Sequence, residues 1–98
     1  MEKVKILWVD DEIELLKPHV MFLQRKGYEL ATANNGEDAL EMIDNQVFDI
    51  VFLDENMPGL SGLQVLQDMK AIDSSLPIAL NVFFAKSKNV RAVPEPKL

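Results

Sequence analysis

The sequence predicts an α/β domain, a doubly wound parallel sheet. Two observations predict it. Short β-prone runs alternate with stretches of helical spacing in the order β-α-β-α-β-α-β, which implies a parallel sheet with right-handed crossovers. The run DIVFL at residues 49–53 is nearly continuous in apolar residues, as a central parallel strand covered on both faces requires.

Each element has its own signal. Residues 4–9, VKILWV, form an apolar, β-prone run too short for a buried helix. It ends on Asp10, Asp11 and Glu12. Over residues 13–26, Ile13, Leu16, Val20 and Leu23, with Leu15 and Phe22, fit helical spacing, and Gly27 is a natural stop. Pro18 inside this stretch either opens the regular helix as a first-turn residue or kinks it. Residues 28–33 alternate weakly and read as a second strand. Asn34, Asn35 and Gly36 form a turn and cap, and residues 37–45 carry Ala39, Leu40, Met42 and Ile43 on a second helix. The third strand, 49–53, runs into Asp54. Leu63, Leu66, Met69 and Lys70 place a third helix at about 61–72, and residues 76–84 read as a fourth strand.

Composition bounds the function. Ninety-eight residues make one small domain. Hydrophobic residues at 48% and charged residues at 27% describe an ordinary soluble globular protein. A formal charge of −6 argues against direct nucleic-acid binding and against anionic membranes. With no cysteine, disulfides, thiolate metal sites and cysteine catalysis are excluded. No apolar stretch approaches the roughly 18 residues of a membrane span. The opening MEKVKILWVDDE has no signal-peptide pattern, so a cytoplasmic domain is expected.

The acids carry the chemistry. Open parallel sheets bind ligands outside the carboxyl ends of their strands. Asp10 and Asp11 follow the first strand, and Asp54 ends the third. If those strands are neighbours, three carboxylates converge on one rim, where they repel one another. A hard cation relieves this, and Mg²⁺, which takes few protein ligands and keeps several waters, suits it. Such a site suits receipt of a phosphoryl group, with Asp54 as nucleophile and the metal shielding its charge. Pro58, Gly59 and Gly62 let the backbone fold back so that a loop carbonyl can serve as a ligand. The bland alternative is three solvated strand-end acids.

These residues resemble a known family. WVDDE followed by DIVFLDENMPGLSGLQVL, with NNGEDAL between them, is similar to the CheY-like receiver domain of two-component response regulators, a flavodoxin-like fold. The resemblance covers residues 4 to about 80. It implies that Asp54 is the phosphoacceptor, that Asp11 is a direct Mg²⁺ ligand with Asp10 as its partner acid, and that Asn56 offers its backbone carbonyl to the metal. It implies Pro58 and Gly62 at the turn into the third helix, and a sensor histidine kinase as phosphoryl donor. Such a domain accepts a phosphoryl group and promotes its own phosphotransfer, and is not a turnover enzyme. A narrower resemblance, on WVDDEIELLKPH and FLDENMPGLSG, is to PorX-like regulators, in which a phosphatase-like effector follows the receiver.

The chain also departs from the family, whose five βα units of about 24 residues need roughly 120 residues, whereas this chain has 98, so the sheet is expected to lack its last strand and helices. LPIALNVFF puts Val82 where the family has a Ser or Thr hydroxyl. The tail AKSKNVRAVPEPKL has Pro96-Lys97 where Lys-Pro is expected. Only 12 residues lie between Phe84 and Lys97, too few for a helix and a strand. Residues 1–84 are therefore read as a partial receiver domain and 85–98 as an atypical tail. A truncation, a reading-frame change after about Leu80 or a natural short variant would each produce this. A fourth strand left as an edge predicts a homodimer, or a strand-swapped dimer, formed through it. Without the hydroxyl and the lysine, the alternative function is a receiver-like fragment that does not switch, acting as a metal-binding or dimerising module.

Other readings are weaker. A haloacid-type aspartyl-phosphate hydrolase would place Asp-x-Asp after the first strand, not Asp10-Asp11, and position 56 is Asn. A calcium loop from Asp54 fails, because Pro58 takes a ligand position and Val65 stands where a bidentate Glu is needed. His19 is read as a surface or partly buried residue away from the acids. Trp8 is read as core or sheet-face packing, the five methionines as core fillers, and Lys86 and Lys88 as a solvated basic tail. Glu12 lies near the metal or favours the first turn of the helix, and Ser61 is read as a helix cap.

Overall fold

The computed structural model describes residues 3–55, 57, 59 and 61–80. Within them four strands form one parallel sheet in the order β2-β1-β3-β4. The strands are β1 (Lys5–Val9), β2 (Glu29–Ala33), β3 (Ile50–Leu53) and β4 (Ile78–Leu80). The helices are α1 (Lys17–Arg25), α2 (Gly36–Asn45) and α3 (Gly62–Ile72). The sheet places β1 beside β3, in a register that sets Val9 opposite Leu53. The parallel α/β sheet with helices on both faces that the sequence predicts is therefore the arrangement observed among the described residues, while the expected loss of the last strand and helices falls on residues 81–98, outside them. The rest of the expected fourth strand, residues 81–84, lies outside the described residues, as do Asn56, Pro58, Val82 and the tail 85–98.

The first helix resolves the question set by Pro18. Residues Ile13–Leu16 form a 3₁₀ turn, and α1 starts only at Lys17, with the proline in its first turn. A proline ring clashes with the carbonyl four residues back, so no α-helix runs unbroken from Ile13 through position 18. The turn instead closes by Ile13 N–H donating to the Asp10 carbonyl at 3.0 Å and Leu15 N–H to the Glu12 carbonyl at 2.9 Å. At the other end Gly27, at φ +106°, stops the helix. Its N–H donates to the Gln24 carbonyl at 3.0 Å and Tyr28 N–H to the Leu23 carbonyl at 3.2 Å, a Schellman motif. Asn35 and Ser61 cap α2 and α3, their side chains accepting from Asp38 N–H at 2.7 Å and Gln64 N–H at 3.2 Å.

The sheet packs differently on its two faces. On one, Leu7, Val9, Val51 and Leu53 meet Ala39 and Ile43 of α2 and Val65 and Met69 of α3, closed by Phe48, Met57 and Leu76. Each large side chain buried there contributes about 1.5–3 kcal/mol. On the other face Trp8, Ile13 and Leu16 form a smaller cluster with Val20, Leu23, Leu30 and Phe52. Trp8 meets Phe52 edge to face, with ring centroids 5.5 Å apart. Trp8 thus packs on the sheet face, as its place in the first strand predicts.

Some apolar positions turn outward. Leu15 and Phe22 share the helical spacing of the core residues but are 69% and 51% exposed, and Leu63 of α3 is half exposed while Val65 is buried. Among the methionines, Met57 and Met69 are buried and Met42 packs against the core, but Met21 is exposed rather than a core filler. Next to α1 a groove of about 390 Å³ opens over the sheet, lined by Trp8, His19, Phe22, Leu23, Phe52, Ala79 and Leu80. No helix among the described residues is long and apolar enough to cross a membrane.

Candidate functional site

The acids sit where two neighbouring strands run out. Asp10 is the first residue after β1 and Asp54 the first after β3. Both remain tied to the ladder by their main chains. Asp10 N–H donates to the Ala33 carbonyl at 3.1 Å, and Asp54 N–H donates to the Val9 carbonyl at 2.9 Å. Parallel pairing in this register brings the two carboxylates to the same rim. Carboxylate oxygens of Asp10, Asp11 and Asp54 all lie within 4.8 Å of one another. Asp10 and Asp54 are buried, and Asp11 is exposed, so the cluster opens toward solvent on the Asp11 side.

The side chain of Asp10 is fixed locally. Its Oδ1 accepts the N–H of Glu12 at 2.8 Å, and its carbonyl accepts the N–H of Ile13. The 3₁₀ turn and the orientation of this carboxylate are therefore one structure. Glu12 contributes its amide here while its own side chain is exposed. The sequence points only to the Glu12 carboxylate, because a backbone amide leaves no mark in the residue type.

On the far side of Asp54 the chain must turn from β3 into α3. Met57 drops its side chain into the core. Gly62, the first residue of α3, is buried and donates its N–H to the Glu55 carbonyl at 2.9 Å. Of the expected site residues, Asp10, Asp11 and Asp54 are thus brought together, while Asn56 lies outside the described residues. His19 is exposed on α1 and lines the apolar groove, not the acid rim.

The donor set fits a hard cation. All three groups are carboxylates, and burying like charges side by side is costly without a counter-ion. A small divalent ion that binds through a few oxygens and keeps its remaining waters matches a cluster with one open side. Nothing in the cluster is soft enough to select a thiophilic metal.

Comparison with known proteins agrees with this geometry. The chain matches the response regulator receiver domain family over residues 6–95. The transcriptional regulatory protein ZraR of Klebsiella oxytoca is 38% identical over 79 residues, which are 81% of this chain and 18% of that protein. The chain thus spans less than a fifth of that relative's length. Among solved structures, the response regulator protein TrrA of Thermotoga maritima, in complex with Mg²⁺ and BeF, matches with a TM-score of 0.74 at 35% identity, covering 89% of this chain and 76% of TrrA. A structure of the histidine kinase ThkA in complex with TrrA matches with a TM-score of 0.73 at 40% identity, covering 79% of this chain and 66% of that one. With its parallel sheet, its strand-end acids and a family match across most of its length, this chain belongs to the response regulator receiver domain family.

Proposed function

We propose that Asp54 of this receiver domain accepts a phosphoryl group from the phosphohistidine of a sensor histidine kinase, at a Mg²⁺ site formed by Asp10, Asp11 and Asp54. The observation that carries this reading is the meeting of three carboxylates within 4.8 Å at the ends of two adjacent parallel strands. The neighbour solved with Mg²⁺ and BeF, and the one solved with a histidine kinase, support it. Asn56, by its place in the family motif, would add a backbone carbonyl.

Each residue has a distinct task. A carboxylate oxygen of Asp54 attacks phosphorus. The new P–O bond forms as the P–N bond to the donor imidazole breaks, and the departing nitrogen keeps the bonding electron pair and is neutralised by a proton. Asp54 is held at the ladder's end by the Val9 carbonyl, so its position is set before the donor arrives. Asp10 is oriented by the Glu12 amide, and exposed Asp11 faces the side from which a hydrated ion enters. When bound, Mg²⁺ supplies positive charge against the incoming phosphoryl oxygens. The domain changes its own covalent state and is not a turnover enzyme.

The wider reading is of a cytoplasmic signalling domain, with the receiver part in residues 1–84 and a distinct tail at 85–98. It binds neither nucleic acid nor membrane directly and associates with a second copy through β4. Among the described residues β4 has a neighbour on one side only, and the apolar groove beside Ala79 and Leu80 adjoins that edge.

The test is a titration of Mg²⁺ and then beryllofluoride, which mimics an acyl phosphate, onto this chain and onto Asp54→Ala. Calorimetry and Trp8 fluorescence are the readouts. Binding of both that is lost in the variant supports the proposal. Mg²⁺ binding with no beryllofluoride response would instead identify a metal-binding module that does not switch.

A further inference from the structure

The turn from β3 into α3 is closed by an approach that only glycine permits. A Cβ placed on Gly62 would run into the Glu55 Cα and the Asp54 carbonyl, closer than real Cβ atoms come. The Gly62 N–H donates to the Glu55 carbonyl at 2.9 Å. The start of α3 therefore rests on the peptide joining Asp54 to Glu55, with nothing between them.

What would yield if a side chain were added follows from how each part is held. α3 is locked from behind. Val65 and Met69 are fully buried, and Val65 N–H donates to the Ser61 carbonyl at 3.0 Å. Moving the helix would open a hole in the main core. The Asp54 amide is held by the Val9 carbonyl, but β3 has ended at Leu53, so the Asp54–Glu55 peptide lies past the last residue of the strand. It is the softer partner. Pushing it turns Asp54 out of its place beside Asp10 and Asp11.

We infer that Gly62 is a positioning residue of the metal site: by lying bare against the Asp54–Glu55 peptide it holds the Asp54 carboxylate within reach of Asp10 and Asp11, and so sets the affinity for Mg²⁺. This rests on the Mg²⁺ reading above and adds to it a residue that touches neither metal nor phosphoryl group. Groups that orient metal ligands from behind change affinity by about 10–100-fold when replaced.

The experiment compares Gly62→Ala with Gly27→Ala. Gly27 follows α1 at φ +106°, and a Cβ placed there would meet nothing within 4 Å; it leads into the start of β2, at the opposite end of the sheet from the acids. Its replacement costs stability through backbone strain alone. Mg²⁺ affinity is measured by calorimetry and stability by urea unfolding. The expected result is a loss of at least about tenfold in affinity for Gly62→Ala, with Gly27→Ala binding Mg²⁺ like the parent despite its lower stability. Equal affinity for Gly62→Ala and the parent, or equal losses in both variants, would overturn the inference.

If Gly62→Ala does not fold, hydrogen exchange on the unaltered chain decides. Coupling between a contact and a ligand is reciprocal. Mg²⁺ must then slow exchange of the Gly62 amide more than that of the Val65 amide one turn on. Equal slowing of the two would count against Gly62. A parent chain that ignores Mg²⁺ altogether would overturn the metal reading itself, and this inference with it.

Discussion

The amide of Asp54 donates to the carbonyl of Val9 at 2.9 Å. That one bond carries the parallel ladder a residue past the end of β3, and it sets Asp54 beside the strand whose next residue is Asp10. The acid cluster is a product of sheet register. Slipping β3 by one residue would turn its core-facing residues to the other face and take Asp54 away from Asp10.

Replacing Asp54 with Asn has opposite effects with and without metal. Two unit charges 4.8 Å apart, the outer limit for these three carboxylates, repel by about 3 kcal/mol at an effective dielectric of about 20. In metal-free buffer Asp54→Asn is therefore expected to be more stable than the parent by about 1–3 kcal/mol. With Mg²⁺ at 100 times its Kd the parent gains about 2.7 kcal/mol and the variant gains little. Urea unfolding in EDTA and in Mg²⁺ checks both arms. A variant less stable than the parent in EDTA would show that the carboxylates do not strain the fold.

The contact between Trp8 and Phe52 supports β1 and β3 on the face opposite the main core. Edge-to-face aromatic pairs contribute about 0.5–1.5 kcal/mol beyond the area they bury. A double-mutant cycle with Trp8→Leu and Phe52→Leu is expected to give a coupling of that size in urea unfolding. A coupling near zero would assign the pair to area burial alone.

Much of this arrangement was legible in the sequence for a physical reason. A strand buried on both faces admits few polar residues, so Asp10, Asp11 and Asp54 mark the ends of β1 and β3 by interrupting apolar runs. Alternation with helices then makes the strands parallel and puts those ends on one side. The start of α1 was less legible. Pro18 allowed two readings, and the choice depended on Asp10, whose side chain and carbonyl capture the amides of Glu12 and Ile13. Helical spacing gathers Leu15 and Phe22 with Leu16 and Leu23, but it does not say which strip of the helix the sheet covers. Gly62 read as a turn glycine. Its close approach to the Asp54–Glu55 peptide depends on where α3 lands, which no local pattern encodes.

The connection from α3 to β4 predicts a pH effect. Asp73 Oδ1 accepts the Ser75 hydroxyl at 2.8 Å and the Ser75 amide at 3.0 Å. Those two bonds, with nearby Lys70 adding attraction, hold the Asp73 carboxyl below its ordinary value of 3.8. A depressed carboxyl stabilises the fold above its unfolded value and loses that contribution as pH falls through the folded one. Ser75→Ala removes the largest cause, so the Asp73 pKa is expected to rise toward 3.8. The difference in stability between variant and parent is present at neutral pH and closes in acid below that value. Carboxyl-detected NMR titration reads the shift directly, and an unchanged Asp73 titration in Ser75→Ala would remove Ser75 as its cause.

Association through β4 can be tested at a single position. Ala79 is exposed at the centre of β4, between half-buried Ile78 and Leu80, and it lines the apolar groove beside Phe52 and Trp8. Among the described residues β4 pairs on one side only; a strand so placed offers its other row of amides and carbonyls to a second chain, and an apolar surface adjoins that row. A charge at Ala79 would have to be desolvated in any dimer that covers this face, at a cost of several kcal/mol per buried, unpaired ion. In the monomer it stays in water and costs little, since exposed substitutions usually fall within about 0.5 kcal/mol. Ala79→Lys is therefore expected to leave urea unfolding of the dilute protein nearly unchanged and to shift the concentrated protein from dimer to monomer. Light scattering coupled to size exclusion over a range of loading concentrations measures this. A parent chain that stays monomeric at the highest loading would refute association through β4. A parent that dimerises equally well with Lys at position 79 would move the interface away from this strand.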